Sequence, residues 1–188
     1  MISQDQELIH RFKNGDQSAY AELYKNYVKY AYGAALLIVK DSTIASDVCQ
    51  DSFVRVYENI SKFKDGLPFK PWFYRIIVNE AMRLTRRIMR WAKPVETVPE
   101  RACNSLGPEA LAINKELEHE IQKLMDKIPD KLKIPLILRY YSELTEDEIA
   151  HTLKIPLGTV KSRLNRGRQR LGNLFDEQQI TIGGTYHA

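Results

Sequence analysis

Residues 145–171, TEDEIAHTLKIPLGTVKSRLNRGRQRL, carry the strongest structural signal in the C-terminal part of the chain. Thr145 and Glu148 have the spacing of a capping box, which predicts the start of a short helix. A turn at residues 154–156 follows, and a second helix is predicted to continue to about Phe175. Two helices joined by such a short turn predict a helix-turn-helix motif. Its interior positions are expected to be Ile149, Ala150, Leu153, Ile155 and Val160.

The second helix of this motif carries donor side chains on one side. Residues 154–170 contain six basic residues and no acidic one. Arginine or lysine can pair with guanine, and asparagine with adenine, in the major groove of DNA. The pattern therefore indicates binding to duplex DNA, although a bare three-helix core has much the same pattern. The side chains expected opposite Val160 and Leu164 are Lys161, Ser162, Asn165 and Arg166.

The N-terminal half is also helical by its apolar periodicity. A first helix is predicted after an N-cap at Asp16, a second over residues 42–60, and a third from Phe69 into a run of arginines. A loop with Asp-Gly and proline signals separates the last two. The predicted core stripes are Ala19, Leu23, Tyr27 and Tyr30, then Ile44, Val48, Cys49, Phe53, Val56 and Ile60, then Phe69, Trp72, Phe73, Ile76, Ile77 and Ala81.

Prolines and a glycine break regular structure between the two halves. Residues 93–108 contain Pro94, Pro99, Gly107 and Pro108, which predicts a linker and a domain boundary. Helices are expected to resume over residues 109–127 and 130–141. Because no strand pattern is long enough for a sheet, the expected fold is all-α, with two small helical domains joined by a flexible linker.

Composition excludes several classes of protein. The 188 residues carry a net charge of +4 and only two cysteines, too few for a disulfide framework. No apolar run reaches the length of about 20 residues that spans a bilayer, and the N-terminus lacks the pattern of a signal peptide, so a cytoplasmic location is expected. The four histidines are scattered and give no metal-ligand spacing, which argues against a metal-dependent nucleic-acid enzyme. Cys49 is expected in the core and Cys103 in the linker.

Charge is distributed in blocks. Residues 75–93 carry six basic residues against one acidic residue, and residues 96–120 carry six glutamates against two basic residues. The second basic block is the helix-turn-helix. Two basic blocks separated by an acidic stretch suggest two nucleic-acid contacts, whereas two solvated helix faces would give the same charge pattern.

The region before and within the third helix combines an aromatic residue, a cation and an amide. Phe63, Lys64 and Asn79, with nearby arginines, could hold an unstacked base. The alternative is structural: Phe63 could fasten the loop to the domain, and Trp72 and Phe73 are expected in the core.

Two stretches resemble one protein family. Residues 47–87, DVCQDSFVRVYENISKFKDGLPFKPWFYRIIVNEAMRLTRR, resemble region 2 of the extracytoplasmic-function (ECF) sigma factors. Residues 128–171, IPDKLKIPLILRYYSELTEDEIAHTLKIPLGTVKSRLNRGRQRL, resemble their region 4. The resemblance covers about residues 6–172. It implies region 2 over residues 1–92, a linker over 93–116, region 4 over 117–175 and a tail over 176–188.

The resemblance implies a promoter-specificity subunit without catalytic residues, metal, cofactor or small-molecule substrate. Its implied partners are core RNA polymerase (the β′ clamp helices and the β flap), promoter DNA and an anti-sigma factor. The implied polymerase-docking residues are Asp47, Gln50 and Asp51. Those implied at the −10 element are Phe63, Lys64, Asp65, Gly66, Asn79, Arg83, Arg86 and Arg87, and those at the −35 element are Arg139, Lys161, Ser162, Asn165 and Arg166.

Two positions depart from the family pattern. Arg83 stands where many members have an acidic residue, and Asn165 stands where some have an aromatic one. The alternative function is a free-standing helix-turn-helix regulator. An acidic docking helix followed by a basic, aromatic helix argues against it, because such a regulator needs a dimerisation or ligand domain.

Overall fold

The computed structural model describes residues 4–91 and 123–178 of the chain. The predicted linker, Cys103, most of the predicted helix 109–127 and the end of the tail lie outside these residues. The N-terminal domain contains α1 (Gln4–Lys13), α2 (Gln17–Val39), α3 (Ser42–Asn59), a 3₁₀ turn (Ile60–Lys62) and α4 (Phe69–Trp91). The C-terminal domain contains α5 (Asp130–Leu136), a π-helical turn (Ile137–Tyr141), α6 (Glu146–Leu153) and α7 (Leu157–Gln178). The described residues contain no strand, and the predicted all-α fold is confirmed.

Helix α2 begins where its N-cap was predicted. The Asp16 carboxylate accepts a hydrogen bond from the backbone N–H of Ser18 at 2.9 Å, which satisfies one of the unpaired donors at the helix start. The Ser18 hydroxyl and the Arg11 guanidinium also donate to this carboxylate, and together they lower the pKa of Asp16 to about 2. Arg11 belongs to α1, a helix that the sequence analysis did not predict. The cap therefore also joins α1 to α2.

An aromatic cluster forms the core of the N-terminal domain. The ring of Phe73 stacks on Phe69 at a centroid distance of 5.5 Å and meets Phe53 and Tyr27 at 5.1 and 5.3 Å. Burial of each such ring contributes roughly 1.5–3 kcal/mol. The predicted core position of Tyr30 is wrong, since this side chain is 54% exposed. Ala31, four residues after Tyr27, takes the core position instead, because an i to i+4 step stays closer to one helix face.

The C-terminal domain confirms the predicted helix-turn-helix. Thr145 and Glu148 form the capping box, with Thr145 N donating to Glu148 Oε2 at 2.8 Å and Glu148 N donating to Thr145 Oγ1 at 3.2 Å. Helix α6 ends at Leu153, and the capping residue after it, Lys154, has a φ of +54°, the left-handed conformation that glycine usually provides. The predicted helix over residues 130–141 is present as α5 followed by the π-helical turn.

The two domains are in contact. Helices α2 and α4 of the N-terminal domain pack against α5, the π-helical turn and α6 of the C-terminal domain. This contact leaves one long side of α7 exposed to solvent. Within the described ranges, no helix combines the length and apolar character that crossing a membrane requires.

Candidate nucleic-acid interface

Helix α7 presents a polar face to solvent. Val160 and Leu164 are buried, whereas the four predicted −35 residues on this helix, Lys161, Ser162, Asn165 and Arg166, are all exposed. The opposite face is held tightly against α5, because a Cβ at Gly167 would lie only 2.9 Å from Leu136 Cδ1. Glycine at this position lets α5 support α7 at close range. The helix therefore offers side-chain donors from a fixed position, as major-groove readout requires.

Arg139, the fifth predicted −35 residue, lies on the π-helical turn and is exposed. Its Nη1 donates to the carbonyl oxygen of Leu144 at 3.1 Å, which anchors part of the guanidinium to the domain. On α7, Arg168 donates to the Tyr140 hydroxyl at 3.4 Å. These bonds join the π-helical turn to its own domain and leave Arg139 with further N–H groups for an anion.

The basic face of α7 has no acidic residue to neutralise it along most of its length. From Leu157 the first acidic residue is Asp176, close to the end of the helix at Gln178. Lys161, Arg166, Arg168 and Arg170 are exposed along this stretch. Such a surface attracts a phosphate backbone and gives an affinity that falls as salt rises.

A second candidate surface lies on the N-terminal domain, where an open cavity of about 320 Å³ contains Asn79. Trp72 forms part of its wall and is half-buried, so the prediction that Trp72 lies in the core is wrong in part. An indole ring, an amide and cations can together stack against and hydrogen-bond to an unpaired base. Three polar lining residues were not predicted from the sequence: Arg55 and Asn59 on the outer side of α3, and Lys62 on the 3₁₀ turn.

The loop beside this cavity is held in place by contacts of Phe63 and Asp65. Phe63 is buried, and its ring contacts Trp72 at a centroid distance of 5.0 Å. Lys13 from α1 donates to the Phe63 carbonyl oxygen at 2.5 Å and to Asp65 Oδ1 at 2.6 Å. Gly66 has a φ of +82°, which explains glycine at the turn. The structural alternative for Phe63 is therefore the better one: its side chain holds the loop, while Lys64 is exposed.

Arg83 is engaged within the protein. Its Nε donates to Glu80 Oε2 at 2.7 Å, and its Nη2 pairs with Asp51 Oδ2 at 3.1 Å. Arg55 Nε pairs with the other oxygen of Glu80 at 2.6 Å. We call these four residues the Glu80 network. It joins α3 to α4 and connects Asp51, predicted for polymerase docking, with Arg83, predicted for the −10 element.

Arg86 and Arg87 lie one turn further along α4 and are exposed. Their guanidinium groups can therefore contact a phosphate backbone at the basic end of α4.

The outer face of α3 is both polar and apolar. The predicted docking residues Asp47 and Gln50 are exposed. Val54 and Tyr57 are 50% and 48% exposed, an apolar contribution that the sequence analysis did not assign to this face. A partner protein can bury such apolar side chains, and the acidic residue at its edge favours a basic partner.

The remaining titratable candidates have structural explanations. Burial raises the pKa of the Cys49 thiol to about 11, in keeping with a packing role for this residue. Tyr27 donates to the Asp5 carboxylate, and burial is the main cause that raises the pKa of Tyr27. Within residues 4–91 and 123–178, no three histidine, cysteine or acidic side chains are grouped closely enough to hold a metal ion.

Comparisons with known proteins match both domains. Residues 23–91 match the Sigma-70 region 2 family, and residues 118–171 match the Sigma-70 region 4 family. The ECF RNA polymerase sigma factor SigW of Bacillus subtilis is 33% identical over 176 residues, which are 87% of this chain and 92% of the relative. The ECF RNA polymerase sigma-E factor of Escherichia coli K12 is 30% identical over 90% of this chain and 93% of its own length. The chain belongs to the ECF sigma factors.

Two solved structures have the same fold as this ECF sigma factor. CnrH in complex with the cytosolic domain of CnrY matches at a TM-score of 0.72 with 21% identity, over 93% of this chain and 99% of that chain. The sigma factor RpoE of Bartonella quintana, crystallised with the anti-sigma factor NepR, matches at 0.67 with 19% identity over 84% and 96%. Sigma factors are non-enzymatic initiation factors that bind core RNA polymerase and promoter DNA, and this chain is a sigma factor that directs transcription initiation.

Proposed function

We propose that this sigma factor reads the −10 and −35 elements with its two separate surfaces while α3 holds it on core polymerase. The observation that carries the proposal is the pairing of an exposed recognition helix, without acidic residues over 157–175, with an open, Trp72-lined cavity on a separate domain. One surface suits duplex DNA and the other suits an unpaired base. A subunit that both locates and opens a promoter requires both.

Helix α7 enters the major groove at the −35 element. Arg166 and Lys161 are the candidates for guanine, and Asn165 is the candidate for adenine. Ser162 and Arg139 position the domain through further base or phosphate contacts. Because Asn165 replaces the aromatic residue of some relatives, we expect this chain to prefer a different base at the corresponding position.

The cavity beside Asn79 receives a base of the −10 element after strand separation. Trp72 packs against the base, and the Asn79 amide hydrogen-bonds to its edge. Lys62, which lines the cavity, and the exposed Lys64 contact the backbone beside the base, and Arg86 and Arg87 hold phosphates beyond α4. In this account Phe63, Asp65 and Gly66 shape the loop, and Arg83 orients α4 through the Glu80 network.

The exposed α3 face contacts the β′ clamp helices through Asp47, Gln50 and Asp51, and the exposed Val54 adds apolar contact area. We assign residues 1–92 to region 2, 93–116 to the linker, 117–175 to region 4 and 176–188 to the tail. Region 4 contacts the β flap, and the acidic linker enters channels of the polymerase. The protein performs no catalytic chemistry of its own and acts in the cytoplasm, where its polymerase works.

An anti-sigma factor controls this protein. The support is that CnrH is in complex with the cytosolic domain of CnrY in one solved neighbour, and RpoE of Bartonella quintana is in complex with the anti-sigma factor NepR in the other. The exposed apolar residues of α3 would be available to such a partner in the free chain.

Polymerase docking is tested by a charge reversal on α3. Asp47→Arg should weaken binding to bacterial core polymerase at least tenfold, because it places a positive charge on the proposed contact face. Asp176→Arg makes the same charge change on an exposed site near the end of α7 and should bind core as the native chain does. Equal binding by both variants and the native chain would remove α3 from the docking site.

A further inference from the structure

The loop that borders the Asn79 cavity has weak internal support. This segment, the 63–68 loop, connects the 3₁₀ turn to α4, and residues 64–68 are exposed. Within it, Leu67 N donates to the carbonyl oxygen of Lys64 at 3.4 Å, which is long for a hydrogen bond. An exposed loop of this kind changes conformation readily unless another element holds it.

Lys13, the last residue of α1, holds the 63–68 loop from outside. Its Nζ donates to the Phe63 carbonyl oxygen at 2.5 Å and pairs with Asp65 Oδ1 at 2.6 Å. The lysine side chain is only 19% exposed, and its ammonium group bridges a backbone acceptor and a carboxylate that lie two positions apart. One side chain therefore fixes two points of the loop.

Helix α1 is itself a firm support for this lysine. The residue before it, Phe12, packs its ring on Tyr20 of α2 and Tyr57 of α3 at centroid distances of 5.2 and 5.3 Å. Arg11 donates to the carboxylate that caps α2 at 2.8 Å. Three consecutive residues of α1 thus contact α2, α3 and the 63–68 loop. They connect the loop to the helical body of the domain.

The 63–68 loop in turn supports one wall of the cavity. Phe63 is buried, and its ring meets Phe69 and Trp72 at centroid distances of 6.1 and 5.0 Å. Trp72 lines the cavity that contains Asn79. A shift of the Phe63 backbone would move the ring against which the indole packs, and a displacement of about 1 Å is enough to disturb a positioned group. Lys13 therefore acts on the cavity through Phe63 and Trp72.

The pair between Lys13 and Asp65 contributes position more than stability. The Asp65 side chain is 73% exposed, and exposed ion pairs add little to the free energy of folding because water screens them. Loss of the pair should therefore leave the domain folded and release the loop. The alternative role for Lys13 is a direct phosphate contact, which would require its ammonium group to exchange two oxygen partners. A phosphate contact strengthens binding to all DNA sequences alike.

We propose that Lys13 is a positioning residue for recognition of the −10 element, because it holds the 63–68 loop so that Phe63 supports Trp72 at the base-binding cavity. The inference rests on the proposed function, since it concerns the same cavity. Loss of Lys13 should lower base discrimination at the −10 element. Discrimination at the −35 element, which belongs to α7, should not change.

Open-complex formation by the reconstituted holoenzyme measures this discrimination. The probe is a fragment carrying a promoter that the holoenzyme uses on genomic DNA, together with fragments that carry single-base changes in its −10 or −35 element. The discrimination factor is the ratio of open-complex yields between the native and the changed fragment, measured by permanganate footprinting at limiting holoenzyme.

Three substitutions of exposed or half-buried lysines separate position from charge. Lys13→Met keeps most of the side-chain volume, and it should lower the −10 discrimination factor about fivefold, the scale of a single lost base contact. Lys13→Arg keeps a cation that can donate to both oxygens, and it should retain most of the factor. Lys25→Met removes a charge from an exposed site on α2 and, as the matched control, should equal the native chain.

Asp65→Ala tests the same contact from the loop side. Because Asp65 is exposed, this variant should fold like the native chain. It should lower the −10 factor less than Lys13→Met does, since the bond from Lys13 to the Phe63 carbonyl oxygen remains. The double variant should lose no more than Lys13→Met alone, because both substitutions remove one contact. Circular dichroism should give the same helix content for all variants.

Four results would count against the proposal. An unchanged −10 factor in Lys13→Met, with a lowered factor in Asn79→Ala, would overturn the role of Lys13 and leave the proposed function standing. Equal loss of binding on every fragment would assign Lys13 to a phosphate contact instead. Additive losses in the double variant would show that Lys13 and Asp65 act separately. If Asn79→Ala keeps the native factor, the proposed use of the cavity fails, and the role of Lys13 fails with it.

Discussion

Substitution of Glu80 by glutamine tests how the two predicted sites of the N-terminal domain are held together. Glu80 lies on α4 with its side chain only 6% exposed, and it accepts from Arg55 at 2.6 Å and from Arg83 at 2.7 Å. Arg83 also pairs with Asp51 on α3. Glutamine keeps the size of the side chain but removes its charge from both pairs. It also brings an amide donor towards two guanidinium groups, which are themselves donors.

The expected cost lies between two limits. Loss of one partner from a fully buried ion pair costs about 3–5 kcal/mol, whereas an exposed pair contributes about 0–1 kcal/mol. Glu80 is buried, but the side chains of Arg55 and Arg83 are 46% and 43% exposed, so both guanidinium groups regain water. We therefore expect Glu80→Gln to destabilise the N-terminal domain by about 2 kcal/mol. For a domain of this size that corresponds to a fall in Tm of about 10 °C.

Thermal unfolding of the full chain, followed by far-ultraviolet circular dichroism, measures this effect. Glu58→Gln is the matched control, since Glu58 is exposed on α3 and its substitution should change stability by less than about 0.5 kcal/mol. If Glu80→Gln melts within about 2 °C of the native chain, the Glu80 network does not stabilise the α3–α4 pair. The assignment of Arg83 to orientation of α4 would then lose its basis.

Four further outcomes are expected. Arg166→Ala should cost about 1–3 kcal/mol in holoenzyme binding to the −35 element if it pairs with a base, and equal losses on all sequences in a binding titration would indicate a phosphate contact instead. Asn79→Ala should lower the yield of open complexes in permanganate footprinting more than it lowers −35 binding; an unchanged yield would remove Asn79 from the −10 site. Thr145→Ala should destabilise the C-terminal domain by about 1 kcal/mol in urea titrations, and no change would mean that the capping box is dispensable. The pKa of Asp16 is lowered from 3.8 to about 2, so its stabilising contribution is present above pH 4 and is lost as pH falls towards 2; the difference in urea midpoint between the native chain and Asp16→Asn should shrink over that range, and a constant difference would contradict the assigned pKa.

Local signals in the sequence predicted most of the helices correctly. Asp16 and the pair Thr145 and Glu148 are capping residues that act on backbone groups within three positions, so their effect can be read from the chain alone. The buried face of α3 and the exposed face of α7 follow from helical periodicity in the same way. These features depend on neighbours in the sequence and need no knowledge of the other domain.

The remaining errors come from contacts between distant segments. The spacing of Trp72 along α4 predicts a core position. In the structure, part of its indole lines the cavity that contains Asn79. From the sequence, Arg83 was expected to be available to DNA. In the structure it pairs with Asp51, which lies 32 positions earlier in the chain. A Cβ at Gly33 of α2 would meet the Tyr141 hydroxyl of the C-terminal domain, and no pattern within α2 predicts this neighbour. Sequence spacing alone cannot place such partners.

Transcription by the reconstituted holoenzyme shows whether this chain directs promoter-specific initiation. The purified chain is combined with bacterial core RNA polymerase and fragmented genomic DNA of the source organism, and the 5′ ends of the RNA are mapped. We predict discrete start sites that share paired −10 and −35 elements and are absent with core polymerase alone. Sequence-preferring binding of duplex DNA by the chain alone, with no core binding and no new start sites, would contradict the account and indicate a free-standing regulator.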